Sequence, residues 1–467
     1  MGTLRFRIYF ALLLLPFSWE SSYAKRQYNP LDYGLKNARS GVERYSVLYN
    51  THQRALQDMA RVSYKGIDTL EIEIPSDAKP IPLTAYTDFC GLYLIVKCKT
   101  KSHTLFKMYD DATDIVVDKL SVDQGNYSQY QQLRKGISLL LLTDKNLWVK
   151  NRRGYQYGHQ RNDVIFIKGG KAKNTPVFPY NNNQTDLSAS YIRPTSKRKV
   201  VKNIKFYRDE NNTQIVNLIS IVNQYNVELN NIEIVTPPQS PLTKDQAIVV
   251  ANSYQIDFNN VKIEGTYSKP SLSGYGISMN NVCKLSFNKL KGKANWGIFG
   301  CNNVSTVSLK DCDINRFDIH CYGKDVVCEN CIFRDLYNQF SSVTGEVLFR
   351  KCEFVNFVPF LFETTYDAYT DLRLTFKDCV VHAVKEKNYM IDARGLAGYN
   401  AAARLELQVQ KYPKVIIDGL TINADESLRS FSLYRGGASL LNSGWIEKTK
   451  GIKKVDNIRF IQRNDSK

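Results

Sequence analysis

After residue 24 the chain has no apolar run long enough to span a bilayer, so nothing in the remainder reads as an integral membrane segment. It has no Gly-rich phosphate loop, dinucleotide fingerprint, zinc-binding motif or Gly-x-Ser-x-Gly nucleophile elbow. Those absences remove the common nucleotide-dependent, zinc-dependent and serine-hydrolase readings. Acidic residues are also scarce, with 45 Asp and Glu against 63 Lys and Arg, a formal charge of +18. So strong a positive field favours a partner that carries rows of negative charge.

What is present at the start narrows that partner. Arg5 and Arg7 precede an apolar run from Ile8 to Trp19, and Ser22-Tyr23-Ala24 has the small-x-small form of a signal-peptidase site. Residues 1–24 are therefore expected to be a removed signal, which makes the mature protein exported, either periplasmic or secreted. For an exported protein an anionic polysaccharide is a better match to the charge than nucleic acid, although excess Lys also serves solubility alone. The 29 tyrosines suit stacking on sugar rings as well as core and turn positions.

A repeat organises most of the chain. Val201-Lys-Asn-Ile-Lys-Phe, Leu229-Asn-Asn-Ile-Glu-Ile and Phe258-Asn-Asn-Val-Lys-Ile share one pattern, which continues as Leu309-Lys-Asp-Cys-Asp-Ile and onward to residue 455. Each is strand, tight polar bend, strand, because Asn and Asp tolerate the left-handed backbone that such a bend needs. Aligning Asn203, Asn231, Asn260, Lys289, Cys312, Cys331, Cys352, Cys379 and Gly419 gives steps of 28, 29, 29, 23, 19, 21, 27 and 40 residues. The short steps fit one coil of a solenoid and the long ones add loops. The expectation is an all-β, right-handed parallel β-helix of about ten coils. Four cysteines in one column favour a buried thiol ladder over disulfides, and Cys328 with Cys331 is the only Cys-x-x-Cys spacing. At the front, Tyr28 to Gly34 leads to a helix expected over 43–62, with Val47, Leu48, Leu56 and Met59 on its core side, followed by a first strand at Thr69 to Pro75. That helix would cap the open end of the solenoid. The expected organisation is a signal over 1–24, a cap over 25–80 and a β-helix over 81–467, the last two forming one domain.

This pattern resembles the pectin-lyase-like superfamily: an Asp-Tyr-Gly start, an amphipathic helix, a strand ending Ile-Pro, then coils marked by Asn-Asn-Ile or Asp-Cys-x-Ile corners. The resemblance implies the β-helix and an activity on polysaccharide, while leaving the reaction open. The polygalacturonase signatures Asn-Thr-Asp, Gly-His-Gly and Arg-Ile-Lys are absent, which demotes a hydrolase with paired carboxylates. Charge and export make the chain more similar to β-helical glycosaminoglycan lyases of gut Bacteroidetes.

Aligning the strands after each corner puts Ile277, Ile298, Ile319, Phe362 and Ile391 inside and Ser278, Phe299, His320, Ser342, Glu363 and Asp392 outside. A uronate lyase needs a base, an acid and a carboxylate clamp. His320 or Lys324 is the candidate base, Tyr322 the acid and Arg394 the clamp. Tyr275, Trp296, Glu363, Tyr366 and Asp392 are candidate substrate contacts, together with Arg152 and Arg153 of a basic stretch over 148–173. Glu363 and Asp392 would also suit Ca²⁺, so the cofactor expectation is none or Ca²⁺. Each of these residues has a plain alternative: a hydrogen-bonded His, an exposed ion-pair ladder, aromatics that only close loops, a solvated basic strand.

The expected function is a polysaccharide lyase acting by β-elimination on a uronic-acid polymer, chondroitin, dermatan sulfate or hyaluronan before pectate. The alternatives are a non-catalytic carbohydrate-binding β-helix and a pectate lyase or glycoside hydrolase of the same fold. Neither nucleic acid nor a membrane is an expected partner, and the oligomeric state stays open.

Overall fold

The computed structural model describes residues 26–98, 102–149, 159–212 without 182 and 184, 216–237, 244–264, 273–362 without 295, 336, 356 and 357, 370–384, 388–392, 414–424, 428, 431–435 and 452–462. The signal expected over 1–24 lies outside them.

Corners build the solenoid. Asn203, Asn231 and Asn260 have φ of 63°, 54° and 51°, and each passes a side-chain amide to the coil before it. Asn231 Nδ2 donates to Asn203 Oδ1 and Asn260 Nδ2 to Asn231 Oδ1, both at 3.0 Å. The bend and the stack thus use the same residue type for two reasons, tolerance of positive φ and a self-complementary amide. Strands on either side pair in parallel from coil to coil; Ile204 stands between Leu92 and Ile232, and Ile232 is followed by Val261. Among the described residues they join one 25-stranded sheet, a right-handed parallel β-helix. Its inside is a column of apolar side chains, with Phe258 stacked on Phe287 at 4.7 Å and Phe349 on Phe376 at 5.3 Å.

The cysteine column needs a one-residue correction. The left-handed positions in those coils are Asp311, Asn330, Lys351 and Asp378, each just before a cysteine. Cys312, Cys331, Cys352 and Cys379 are the first inward residues after the bend, and Cys379 is in register with Leu420. All four are free and buried, and each thiol donates to the carbonyl two residues back at 3.3–3.5 Å. The bend selects the polar residue and the core selects the thiol, so the two roles fall on neighbours.

The cap helix, α1, runs Gly41–Gln57. Ser40 Oγ accepts from the Glu43 amide at 3.1 Å and the Glu43 carboxylate accepts from the Ser40 amide at 3.4 Å, a reciprocal cap that sets the start. Gly41 is required by proximity, since a Cβ there would lie 2.8 Å from the Glu73 amide nitrogen on the first strand. The expected core face is partly wrong. Tyr45, Leu48, Thr51, His52 and Ala55 face the core, while Leu56, on the helix but off that stripe, is 46% exposed, and Met59, two residues past the helix end, is 84% exposed.

Between Tyr109 and Lys199 the coils are interrupted by a five-stranded antiparallel sheet that includes Ile137–Val149, His159–Lys168 and Leu187–Ile192. Its run Leu139 to Leu142 is apolar on both sides because both sides are covered. Leu140 and Leu142 pack on the insertion's own short helices, and Leu139 and Leu141 on the solenoid. Phe166 stacks on Tyr225 at 4.9 Å and Tyr254 at 4.8 Å, which anchors the sheet to one flank of the coils. The reading of 81–467 as coils throughout did not include this element. Arg161, counted in the basic stretch, is buried against Asp163 at 3.2 Å and stacks on Tyr180, so it holds the insertion together and does not meet solvent.

Candidate functional site

The outward column differs from the expected alignment at four coils, where Gly300, Asp318, Gln339 and Leu361 take the positions expected for Phe299, His320, Ser342 and Glu363. Phe299 pairs with Ile277 and Phe317 and turns inward, stacked at 4.8 Å on Phe287 and 4.6 Å from Phe317. Gly300 therefore stands between Ser278 and Asp318, and the column continues to Gln339. His320 is skipped in the register with the preceding strand, where Cys301 pairs with Ile319 and Asn302 with Cys321. It is the extra residue of a β-bulge, a device that re-aims a side chain out of the regular pleat.

Asp318 is the centre of the cluster. It is fully buried and accepts from the Tyr275 hydroxyl, from Arg316 Nη2 and, at 3.1 Å, from His320 Nε2. The Tyr275 hydroxyl also lies 2.7 Å from His320 Nε2, and Arg316 reaches on to Gln339. Burial opposes ionisation of Asp318, but the Arg316 and His320 charges and the donors from His320 and Tyr275 outweigh it and hold the carboxyl below its usual range. Among the described residues the second oxygen, Oδ1, has no hydrogen-bond partner, nor has Asn302 Oδ1 in the same region. Orphan buried acceptors are costly and mark a place built for something other than stability.

A cavity of about 150 Å³ opens over this cluster, lined by Tyr275, His320, Trp296, Gln246, Ser278 and Asn302. Trp296 is 43% exposed and meets Tyr275 edge-on at 5.8 Å, leaving an aromatic face toward solvent. Gly300 shapes the floor. A Cβ there would sit 2.5 Å from the Tyr275 ring, so only glycine lets the ring lie across the coil and reach Asp318.

The structure brings together His320, Tyr275 and Trp296 from the expected set. Tyr322 does not join them. At φ 56° it occupies a corner, and its buried ring meets Phe178 of the insertion edge-on at 6.5 Å, so no substrate reaches its hydroxyl. Lys324, past the same corner, donates to Thr175 Oγ1 of the insertion at 3.0 Å. The corner puts both on a different flank from His320. Asp392 is in register with Leu361, not with Glu363, and pairs with Arg435 at 3.2 Å. Glu363, Tyr366, Arg394, Arg152 and Arg153 lie outside the described residues. Among the described residues no three His, Cys, Asp or Glu side chains gather as a metal site.

Asp318 and Arg316 escaped the sequence reading, yet a signal was there. Arg316-Phe-Asp318-Ile-His320 alternates charged and apolar residues with the period of a strand, which places three titratable groups on one face.

No family model matches the chain, and no curated protein matches it in sequence. Among solved structures, the tailspike protein gp49 of Pseudomonas phage LKA1 aligns at a TM-score of 0.54 with 12% identity, over 87% of this chain and 73% of that one. The shared feature is the parallel β-helix. The Gp54 tailspike of Acinetobacter baumannii bacteriophage AP22, solved with an A. baumannii capsular saccharide, aligns at a TM-score of 0.45 with 10% identity, over 94% of this chain and 76% of that one. At such identity the likeness is one of fold, and it does not extend to the narrower resemblance to glycosaminoglycan lyases.

Proposed function

We propose that this β-helix acts on carbohydrate, as an exported polysaccharide lyase that cleaves a uronic-acid polymer, a glycosaminoglycan before pectate, by β-elimination over Tyr275 and His320. The observation that carries the reading is the Tyr275 hydroxyl, hydrogen-bonded to both His320 and Asp318 at the floor of a cavity walled by Trp296. An aromatic wall beside an acid–base pair is what a sugar ring with one reactive bond requires.

The chemistry follows from the arrangement. When its Nδ1 is unprotonated, His320 takes the C5 proton next to the uronate carboxyl there, the electron pair forms the C4–C5 double bond, and the C4–O4 bond breaks. Tyr275 donates its phenolic proton to the departing O4, and the proton held on His320 passes to Tyr275 across their 2.7 Å contact. Asp318 and Arg316 position the pair, and the amides of Gln246 and Asn302 supply donors for the charge that grows on the carboxylate. The +18 charge supports an anionic polymer, and the 1–24 segment supports export.

The test is incubation with hyaluronan, chondroitin sulfate, dermatan sulfate and polygalacturonate, following the ultraviolet absorbance of the unsaturated uronate. A rise that disappears in Tyr275→Phe and His320→Ala supports the reading. Binding with no rise on any polymer would leave a non-catalytic carbohydrate-binding protein.

A further inference from the structure

A larger cavity, about 460 Å³, lies near the cap, where the antiparallel insertion leaves and rejoins the coils. Its floor is apolar, from Leu56, Pro82, Leu83 and Met108. Its polar lining is cationic: Lys107, Arg193 and Lys199 stand against one carboxylate, Asp110. Lys199 is almost wholly buried, held by Gln224 Oε1 at 2.5 Å and Asp110 at 3.3 Å. Lys107 rests over the Tyr109 ring at 4.3 Å, and Arg193 is exposed, its Nη2 bonded to the Gln132 carbonyl at 2.6 Å. The volume falls in the range of ligand pockets, and a concave apolar floor under surplus positive charge suits an anionic ring.

Register relates this cavity to the one at Tyr275. Lys107 pairs with Ser220, Ser220 with Val249 and Val249 with Ser278, so Lys107 and Ser278 occupy one outward column of one face. Three steps of about 4.8 Å separate them, or about 14 Å along the solenoid. The two positions between carry the short side chains Ser220 and Val249.

We propose that the Lys107–Arg193–Lys199 cavity is a distal subsite for an anionic sugar unit, a uronate or sulfated ring, of the same chain whose reactive unit lies between Trp296 and His320. The inference rests on the proposed reading of the Tyr275 site. It sets the direction of the polymer, along the solenoid axis, with one end toward the cap.

The experiment compares Lys107→Ala with Arg193→Ala, and the two combined, against the unaltered protein, using chondroitin sulfate oligomers too short to span the two cavities and the long polymer. Losing two solvent-exposed ion pairs raises KM for the long polymer on the order of tenfold, leaving kcat unchanged and the short oligomers unaffected. An equal effect on short and long chains, or none on the long polymer, overturns the subsite. Should no glycan be turned over, the lyase reading fails by itself. Migration of the protein through a gel containing chondroitin sulfate then decides the subsite: retardation lost in the double variant supports it, and retardation kept overturns it.

Discussion

Alanine at Gly300 would place a methyl carbon 2.5, 2.6 and 2.7 Å from three carbons of the Tyr275 ring, where ordinary contact needs about 3.5 Å. The ring must retreat by about 1 Å, and the hydroxyl that now lies 2.7 Å from His320 Nε2 moves out of bonding range of it and of Asp318. Two costs follow. Overpacking destabilises the fold by about 1–3 kcal/mol, and a displacement of about 1 Å in an acid–base group lowers kcat on the order of 100-fold. Thermal unfolding by circular dichroism reads the first and the initial rate of unsaturated-uronate formation reads the second. Trimming the ring in Gly300→Ala/Tyr275→Ala removes the clash, so the double variant loses less stability than the two single changes summed. A Gly300→Ala protein with unaltered melting temperature and rate, or strict additivity in the double variant, would refute the role given to this glycine.

Tyr275→Phe keeps the ring and removes the hydroxyl, and it is expected to lower kcat/KM by about 10²- to 10⁴-fold while circular dichroism stays unchanged. Asp318 has its carboxyl held below the usual range, so its contribution to stability is full above about pH 4 and is lost as pH falls through the folded value. Asp318→Asn should flatten that acid limb in urea titrations and, by leaving Arg316 without its buried partner, destabilise by about 3–5 kcal/mol at neutral pH; an unchanged acid limb would contradict the assignment. His52 is buried between the Pro82 carbonyl and the Tyr64 hydroxyl, and burial pushes its pKa down to about 4, so the unfolded chain binds more protons between about pH 4 and 6.5. Stability should therefore rise with pH across that window by up to about 1.4 kcal/mol per unit, and His52→Gln should remove the slope. Of the nine cysteines described, Cys90 alone is exposed, and a thiol reagent under native conditions should label it and spare the buried eight, whose reaction awaits unfolding.

The solenoid was legible because its signal repeats. One Asn-Asn-Ile corner is weak evidence, but Asn203, Asn231 and Asn260 recur at coil spacing, each with the same left-handed backbone and the same amide contact. The cysteines were legible as a buried stack and misplaced by one position, because the residue that makes the bend and the residue that fills the core are adjacent. The antiparallel insertion stayed hidden, since its apolar runs such as Leu139 to Leu142 read as strands whichever way they pair. Pairing direction depends on which strands meet, not on the residues of one strand.

Less of the site could be read. His320, Tyr275 and Trp296 were named from residue type and position, whereas Asp318, which bonds to two of them, passed as one more polar residue on a strand. The corner at Tyr322 reverses which flank a side chain faces, and the bulge at His320 shifts alternation by one, so counting by twos fails on either side of that residue.

By itself, then, the sequence determined the coil, its corners, the apolar inner column and the positive charge, all of which follow from local backbone preference and residue pattern. The tertiary structure decided the register between coils, and with it the meeting of Tyr275, Asp318 and His320 from segments more than forty residues apart. The physical reason is that one strand's pattern does not say which residues of the next coil it meets, and a one-residue slip would turn the apolar column outward, so register is fixed only by contacts between coils. Here those contacts include the inward stacking of Phe299 and a glycine that leaves room for one tyrosine ring.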